Sequence, residues 1–354
     1  MRILYVAAKY DYGRPERGFS PQHYNFYSTF LKMNGGKNEV IYFPYDEIRR
    51  ELGRDQMNKK LLQEAFSEKP DLVFCLIGDD SIKKETIGKI TKESGAQTIS
   101  WCADDHWKFY NYTKYWLPYY NWQVTTDPDM IPEYQKIGYK NVILSQWACD
   151  HFTYKPQNLP KIYDVTFIGA AHGNRKKQVS KLKKAGIDVQ CWGSGWTQGR
   201  VSQEDMLKIW SQIKINLNFA KSSGILWKEL ASIFLHRKYD DKIHFTNPKY
   251  WFDNAKTAFA SLTKNQIKGR NFEVPGCQTF FLSEYVPHLE DYYEVGKEIE
   301  CFKNIPELIE KIKYYLEHQQ EREKIAKAGY ERTIRDHTFE KRFNEIFKIM
   351  GLVK

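Results

Sequence analysis

The stretch DVTFIGAAHGNR, Asp164–Arg175, sets the reading of this 354-residue chain. Asp164–Ala170 is a short apolar run of strand character, and an amphipathic helical pattern follows from Asn174 to Ala185. Between them lies GAAHGNR, Gly169–Arg175. Glycines let a ligand approach the backbone, and a helix start offers unpaired N–H groups to an anion. Arg175 adds a positive charge. The GxGxxG spacing of a dinucleotide fingerprint is absent, and an ordinary strand-to-helix turn is the plainer alternative.

The same strand–helix alternation extends in both directions. Downstream come DVQCWG (Asp188–Gly193), a helix over Gln203–Gln212, INLNF (Ile215–Phe219), an apolar run at Thr279–Leu282, IECF (Ile299–Phe302) and a helix over Pro306–His318. Upstream, ILYVAA (Ile3–Ala8), EVIYFPY (Glu39–Tyr45), DLVFCLI (Asp71–Ile77), TISWCA (Thr98–Ala103), QVTT (Gln123–Thr126) and NVILSQW (Asn141–Trp147) alternate with helical patterns. Short, continuously apolar strands between amphipathic helices indicate parallel sheets covered on both faces. The expected class is therefore α/β, with two Rossmann-like parallel-sheet domains facing a central cleft. The turn-rich TYKPQNLPKIYD (Thr153–Asp164) separates a domain over 1–155 from one over 156–325. Residues 222–254, rich in aromatics and Lys/Arg, read as an insertion in the second domain. Residues 326–354 read as helices crossing back onto the first.

Composition narrows the function. Six scattered cysteines without a CxxC pair argue against zinc and for a reducing compartment. No apolar run approaches the ~20 residues a membrane helix needs, and the first strand, broken by Lys9 and Asp11, is too short for a signal peptide. A net charge of +10 favours a polyanionic partner: nucleotide phosphates, nucleic acid or an anionic membrane surface. The cations are dispersed rather than gathered in a tract, so no nucleic acid is expected. The expected location is cytoplasmic, peripheral at the inner face of the membrane.

Ligands of doubly wound sheets bind beyond the carboxyl ends of the strands. QIKGRNFEVPGCQTFFLSE, Gln266–Glu284, places Lys268 and Arg270 ahead of Glu273 at the mouth of a short helix. The cations suit a diphosphate, and the carboxylate suits a ribose diol. A surface ion pair worth under ~1 kcal/mol is the bland alternative. GSGWTQGR, Gly193–Arg200, brings Gly193, Gly195 and Arg200 to a loop that either borders a nucleotide or sugar or is simply a surface turn. In WCADDHW, Trp101–Trp107, Asp104 and Asp105 follow a buried strand. They read as an acceptor-side base, with helix capping and an Asp-x-Asp-like metal element as alternatives.

The residues KGRNFEVPGC (Lys268–Cys277), FFLSE (Phe280–Glu284), GKEIECF (Gly296–Phe302), ELIEKIKYYLEH (Glu307–His318) and EREKIAKAGYERTIRDHTFEKRF (Glu321–Phe343) resemble the C-terminal domain of CgeB-like (spore maturation protein) glycosyltransferases, within the group-1 glycosyltransferases of GT-B fold. SWCADDHWKF (Ser100–Phe109) and TTD (Thr125–Asp127) resemble that family's N-terminal domain. The resemblance implies a glycosyltransferase moving a sugar from a nucleotide sugar, carried by UDP, GDP or dTDP, to a glycan, lipid-linked or protein acceptor. No cofactor or metal is implied. Gly169, Arg175, Lys268, Arg270, Asn271 and Glu273 would hold the donor, with Glu273 on the ribose, and Asp104 or Asp105 would serve the acceptor. The family's earlier glutamate falls at Asn265, and Gln278 stands where a glycine is usual. A nucleotide-sugar epimerase or phosphorylase, or a non-catalytic sugar- or nucleic-acid-binding protein, are the other expectations.

Overall fold

A computed structural model of the chain describes residues 1–220, 226–237 and 242–353. By internal contacts it divides into two compact units: Met1–Gln146 with Leu226–Leu262 and Glu340–Lys354, and Trp147–Ile225 with Thr263–Phe339.

The first unit is built on a six-stranded, wholly parallel sheet of β1 (Arg2–Ala7), β2 (Glu39–Pro44), β3 (Leu72–Leu76), β4 (Gln97–Cys102), β5 (Trp122–Thr125) and β6 (Val142–Leu144), in the order β2-β1-β3-β4-β5-β6. Its helices are α1 (Ser28–Gly36), α2 (Tyr45–Ser67), α3 (Lys84–Glu93), the one-turn α4 (Asp105–Lys108) and α5 (Ile131–Lys136). Every residue of β3 is buried, as a central strand covered on both faces requires. On one face Leu4, Val6, Val73 and Cys75 meet Met57 and Leu61 of α2 and Ile87 and Ile90 of α3. On the other an aromatic cluster forms, with Phe26 edge-on to Trp101 (5.1 Å between ring centroids) and Phe30 against Phe343 (4.4 Å). Phe343 comes from near the C-terminus, so that segment contributes core to this sheet.

The second unit carries a five-stranded parallel sheet of β7 (Tyr163–Ile168), β8 (Gln190–Trp192) and β9 (Ile213–Asn218), joined by later strands described below. α6 (Arg175–Lys184) follows β7 and α7 (Gln203–Ser211) follows β8. Ser202 caps α7 by accepting the Asp205 N–H at 3.0 Å. Next come α8 (Leu226–Phe234), the antiparallel hairpin β10 (Leu235–Arg237) and β11 (Ile243–Phe245), and α9 (Trp251–Thr263). The chain returns through α10 (Arg270–Gly276), β12 (Phe281–Glu284), β13 (Glu300–Phe302), α11 (Ile305–Glu317), α12 (Gln319–Asp336) and α13 (Phe339–Ile349). The strand order is β13-β12-β9-β7-β8.

Two details differ from the sequence reading. The expected insertion over 222–254, read as part of the second domain, includes residues outside those described, 222–225 and 238–241; its described parts, 226–237 and 242–254, group with the first unit. The physical tie is Asp253, which accepts from the Tyr115 hydroxyl at 2.6 Å and pairs with Lys114 at 2.7 Å. The second unit also begins at Trp147, before the proline-rich passage. Cys149 N–H donates to His337 O, Phe339 N–H donates to Cys149 O, and buried Tyr154 stands beside Trp210, so this stretch is core of the second unit.

Two glycines of the family-like motifs are packing positions. A Cβ on Gly276 would lie 2.3 Å from Cys149 Sγ, and one on Gly329 of α12 would lie 2.2 Å from the Glu298 carbonyl oxygen. Helix propensity alone makes Ala better than Gly by about 1 kcal/mol. Against a backbone carbonyl the clash wins, so Gly329→Ala is expected to destabilise by roughly 2 kcal/mol or more, a fall of about 4 °C or more in Tm by calorimetry. An unchanged or higher Tm would contradict this packing.

Candidate functional site

Because the second sheet is parallel, β7, β8, β9 and β12 end on one edge, at Ile168, Trp192, Asn218 and Glu284. Ligands of such sheets bind beyond this edge. The two glycine loops are braided there. Gly169 N–H donates to Trp192 O and Ala171 N–H to Ser194 O, both at 2.8 Å. Trp196 Nε1 donates to Gly169 O at 2.8 Å. Gly193, at φ 131°, approaches so closely that a Cβ there would lie 2.3 Å from Gly169 O. Gly195 also has positive φ, and Arg200 at the loop's end is exposed. The loops therefore form one rigid backbone ledge rather than two mobile turns.

Arg175 does not extend outward. It is buried, with Nη1 donating to Ala170 O at 2.9 Å and Nη2 to Phe219 O at 2.8 Å, its guanidinium lying over the Phe167 ring. Burial pushes its pKa down to about 10, partly countered by Glu284, so it remains a cation at neutral pH. Glu284 is itself buried and accepts the Ala220 N–H at 3.0 Å. Arg175 thus clamps the carboxyl ends of β7 and β9 and contributes charge beneath the ledge. The sequence reading places Arg175 as a direct donor contact; in the structure its guanidinium donates to Ala170 O and Phe219 O.

The Lys268–Glu273 stretch forms the second wall. Arg270 Nη1 donates to Glu273 Oε2 at 2.7 Å, and the guanidinium lies 4.8 Å from the Trp210 ring centroid. A planar cation stacked on an indole and hydrogen-bonded to a carboxylate is held in one orientation. Glu273 is buried on the first turn of α10, its Oε1 turned toward Gly269. Asn271 is buried too: its Oδ1 accepts the Lys268 N–H at 3.1 Å, while its Nδ2 has no hydrogen-bond partner among the described residues.

His172, in the first glycine loop, joins the two walls. Its Nε2 is 3.3 Å from Arg175 Nη1. Its ring is exposed at the loop surface, yet partial desolvation against the ledge, then Arg175 and Lys268, push its pKa down to about 4, which puts Lys268 within electrostatic reach of the loop. Sequence reading passed over His172 because a lone histidine carries no spacing signal, and Trp210 because it reads as core.

In the first unit, the pair after β4 splits. Asp105 is completely buried; Thr113 Oγ1 donates to it at 2.6 Å and the Tyr134 hydroxyl also donates to it. Burial raises its pKa, opposed by these hydrogen bonds. A carboxyl so enclosed anchors the loop and reaches no solvent-borne hydroxyl. Asp104 begins α4 without a side-chain capping bond and lies 3.8 Å from Lys108 Nζ, which in turn sits close to Gly78 at the end of β3. Asp104 is the half-exposed member, at the carboxyl edge of its own sheet.

Known proteins share parts of this sequence and its fold. The family described as glycosyl transferase-like matches residues 175–348, the part of the chain that holds Lys268, Arg270 and Glu273. The spore protein CgeB of Bacillus subtilis (strain 168) is 22% identical over 215 residues, 58% of this chain; the match spans 61% of the length of that curated relative. Among solved structures, sucrose-phosphate synthase from Thermosynechococcus elongatus superposes with a TM-score of 0.61 at 10% identity, covering 99% of this chain and 98% of that one. HepE of Anabaena, in complex with UDP-glucose, superposes at 0.57 with 9% identity over 100% of both chains. The resemblance read from the sequence therefore holds: the chain is similar to CgeB, its residues 175–348 match the glycosyl transferase-like family, and its fold is GT-B.

Proposed function

We propose that this protein is a glycosyltransferase using a nucleotide-sugar donor, held on the carboxyl edge of the second sheet. The observation that carries the reading is the set Lys268, Arg270 and Glu273 standing beside the braided glycine ledge: two cations for a diphosphate and a buried carboxylate for a vicinal diol. The glycosyl transferase-like match over the same residues and the UDP-glucose bound by the structural neighbour HepE support it.

Sugar transfer breaks the bond between the anomeric carbon and the diphosphate oxygen, so negative charge develops on the leaving group. Fixed cations aimed at that charge stabilise the transition state more than the ground state. Lys268 and Arg270 fill this role, with Arg270 kept in line by Trp210 and Glu273. His172 is neutral at pH 7 and meets the phosphate edge as a hydrogen-bonding group. Glu273 accepts from the ribose hydroxyls, and Asn271 Nδ2 supplies a further donor. On the acceptor side Asp104 orients or deprotonates the attacking hydroxyl. The acceptor class is a glycan, lipid-linked or protein-borne hydroxyl of a cell-surface polysaccharide or glycoconjugate.

Thermal-shift measurements against UDP, GDP, dTDP and their sugars test the reading. A hundredfold excess of ligand over Kd is expected to stabilise by about 2.7 kcal/mol. Glu273→Gln is expected to abolish most of that shift; a variant responding like wild type would overturn the ribose assignment. Conversion of donor to an epimer without acceptor would replace the transferase reading with an epimerase.

The low pKa of His172 gives a second expectation. UDP-glucose has no phosphate that titrates near neutrality, so its affinity is expected to stay flat from pH 5.5 to 8. His172 is uncharged across that window, with protonation confined to the range near pH 4. Affinity that strengthens as pH falls through 6.5, and loses that dependence in His172→Gln, would show instead that the imidazole is charged when it meets the donor.

A further inference from the structure

Half of the exposed large hydrophobic side chains of the described chain, ten of twenty, belong to the single segment Leu226–Leu262. α8 buries no residue, and Leu226, Leu230 and Phe234 form an outward stripe at i, i+4, i+8, with Trp227 beside it at 78% exposure. In the hairpin, Leu235 pairs with Phe245 and Arg237 with Ile243, so Leu235, Phe245 and Ile243 share one face, and all three are exposed. α9 buries Asn254, Thr257, Ala258 and Ser261, and turns Phe252 (71%) and Phe259 (68%) to solvent. The three elements make a continuous surface, because Trp251 packs edge-on to both Phe234 (5.0 Å) and Phe245 (5.9 Å). Scattered surface hydrophobics need no explanation, but a concentrated apolar face does.

Its charge says what covers it. Lys228, Lys242, Lys249 and Lys256 are interleaved with the apolar groups, and Lys256 lies over the Phe252 ring at 4.8 Å. The described acids of these elements are two, Glu229 and Asp253, and Asp253 is already paired with Lys114. Protein–protein interfaces deplete lysine at their centres. Anionic bilayers favour this mixture: aromatics enter the headgroup region while lysine stems run along the apolar face and their ammonium groups meet lipid phosphates. The whole chain, at +10, adds attraction. Among the described residues no helix is long and apolar enough to cross a membrane, so the contact is peripheral.

We infer that the apolar face formed by α8, β10, β11 and α9 is a docking surface for an anionic lipid bilayer. This goes beyond the donor site and stands on different residues. Co-sedimentation of the full chain with vesicles of phosphatidylcholine alone, or with about one-third phosphatidylglycerol, tests it. Partitioning is expected to be at least tenfold stronger on the anionic vesicles, to weaken with salt, and to fall about tenfold or more in the double variant Phe252→Ser, Phe259→Ser. Both side chains are largely exposed, so the variant is expected to keep the wild-type Tm and its stabilisation by nucleotide sugars, which separates this test from that of the donor site. No association with anionic vesicles, or equal association of the variant, overturns the inference. So does self-association without vesicles that the variant abolishes while vesicle binding is absent.

Discussion

At the carboxyl edge of the second sheet, the backbones of Gly169 and Gly193 come together with no room for a side chain between them, and the rest of the proposed donor site depends on that approach. A Cβ at 193 would meet Gly169 O at 2.3 Å. With both loops locked by hydrogen bonds between main chains and by the Trp196 indole, the ledge keeps one shape. Arg175 then fixes the ledge to β9 from below through the Phe219 carbonyl. On such a base His172 keeps a fixed place beside Arg175, as the preorganised stabilisation proposed for a leaving diphosphate demands.

The electrostatics of this edge follow one pattern. Arg175 and Arg270 are held in place by burial, stacking or a single carboxylate rather than left to solvent. Arg270 is pinned by Trp210 and Glu273, and Arg175 by two carbonyls and a ring. The neutral state of His172 has a related cause: partial desolvation and two nearby cations disfavour a further charge. A site already rich in fixed positive charge binds an anion with little rearrangement.

The fold was legible because continuously apolar strands such as Leu72–Leu76 read alike in sequence and in space. The Arg270–Glu273 pair was legible because the two lie three residues apart on the first turn of α10, where spacing and geometry coincide. What escaped depended on distant partners. An arginine after a glycine loop reads the same whether it faces a ligand or a carbonyl; Phe219, 44 residues on, decides the matter for Arg175. Asp104 and Asp105 read as equals, yet Tyr134, 29 residues away, encloses only the second. The grouping of Leu226–Leu262 with the first unit turns on Tyr115 and Asp253, 138 residues apart. Periodicity cannot report such pairs.

Hydrogen–deuterium exchange of the full chain, with and without saturating UDP-glucose, tests the central claim most directly. Protection is expected to concentrate in three backbone stretches: 169–174, 193–199 and 268–273. Protection absent from all three, or confined to loops of the first sheet, would contradict a donor site on the edge of the second.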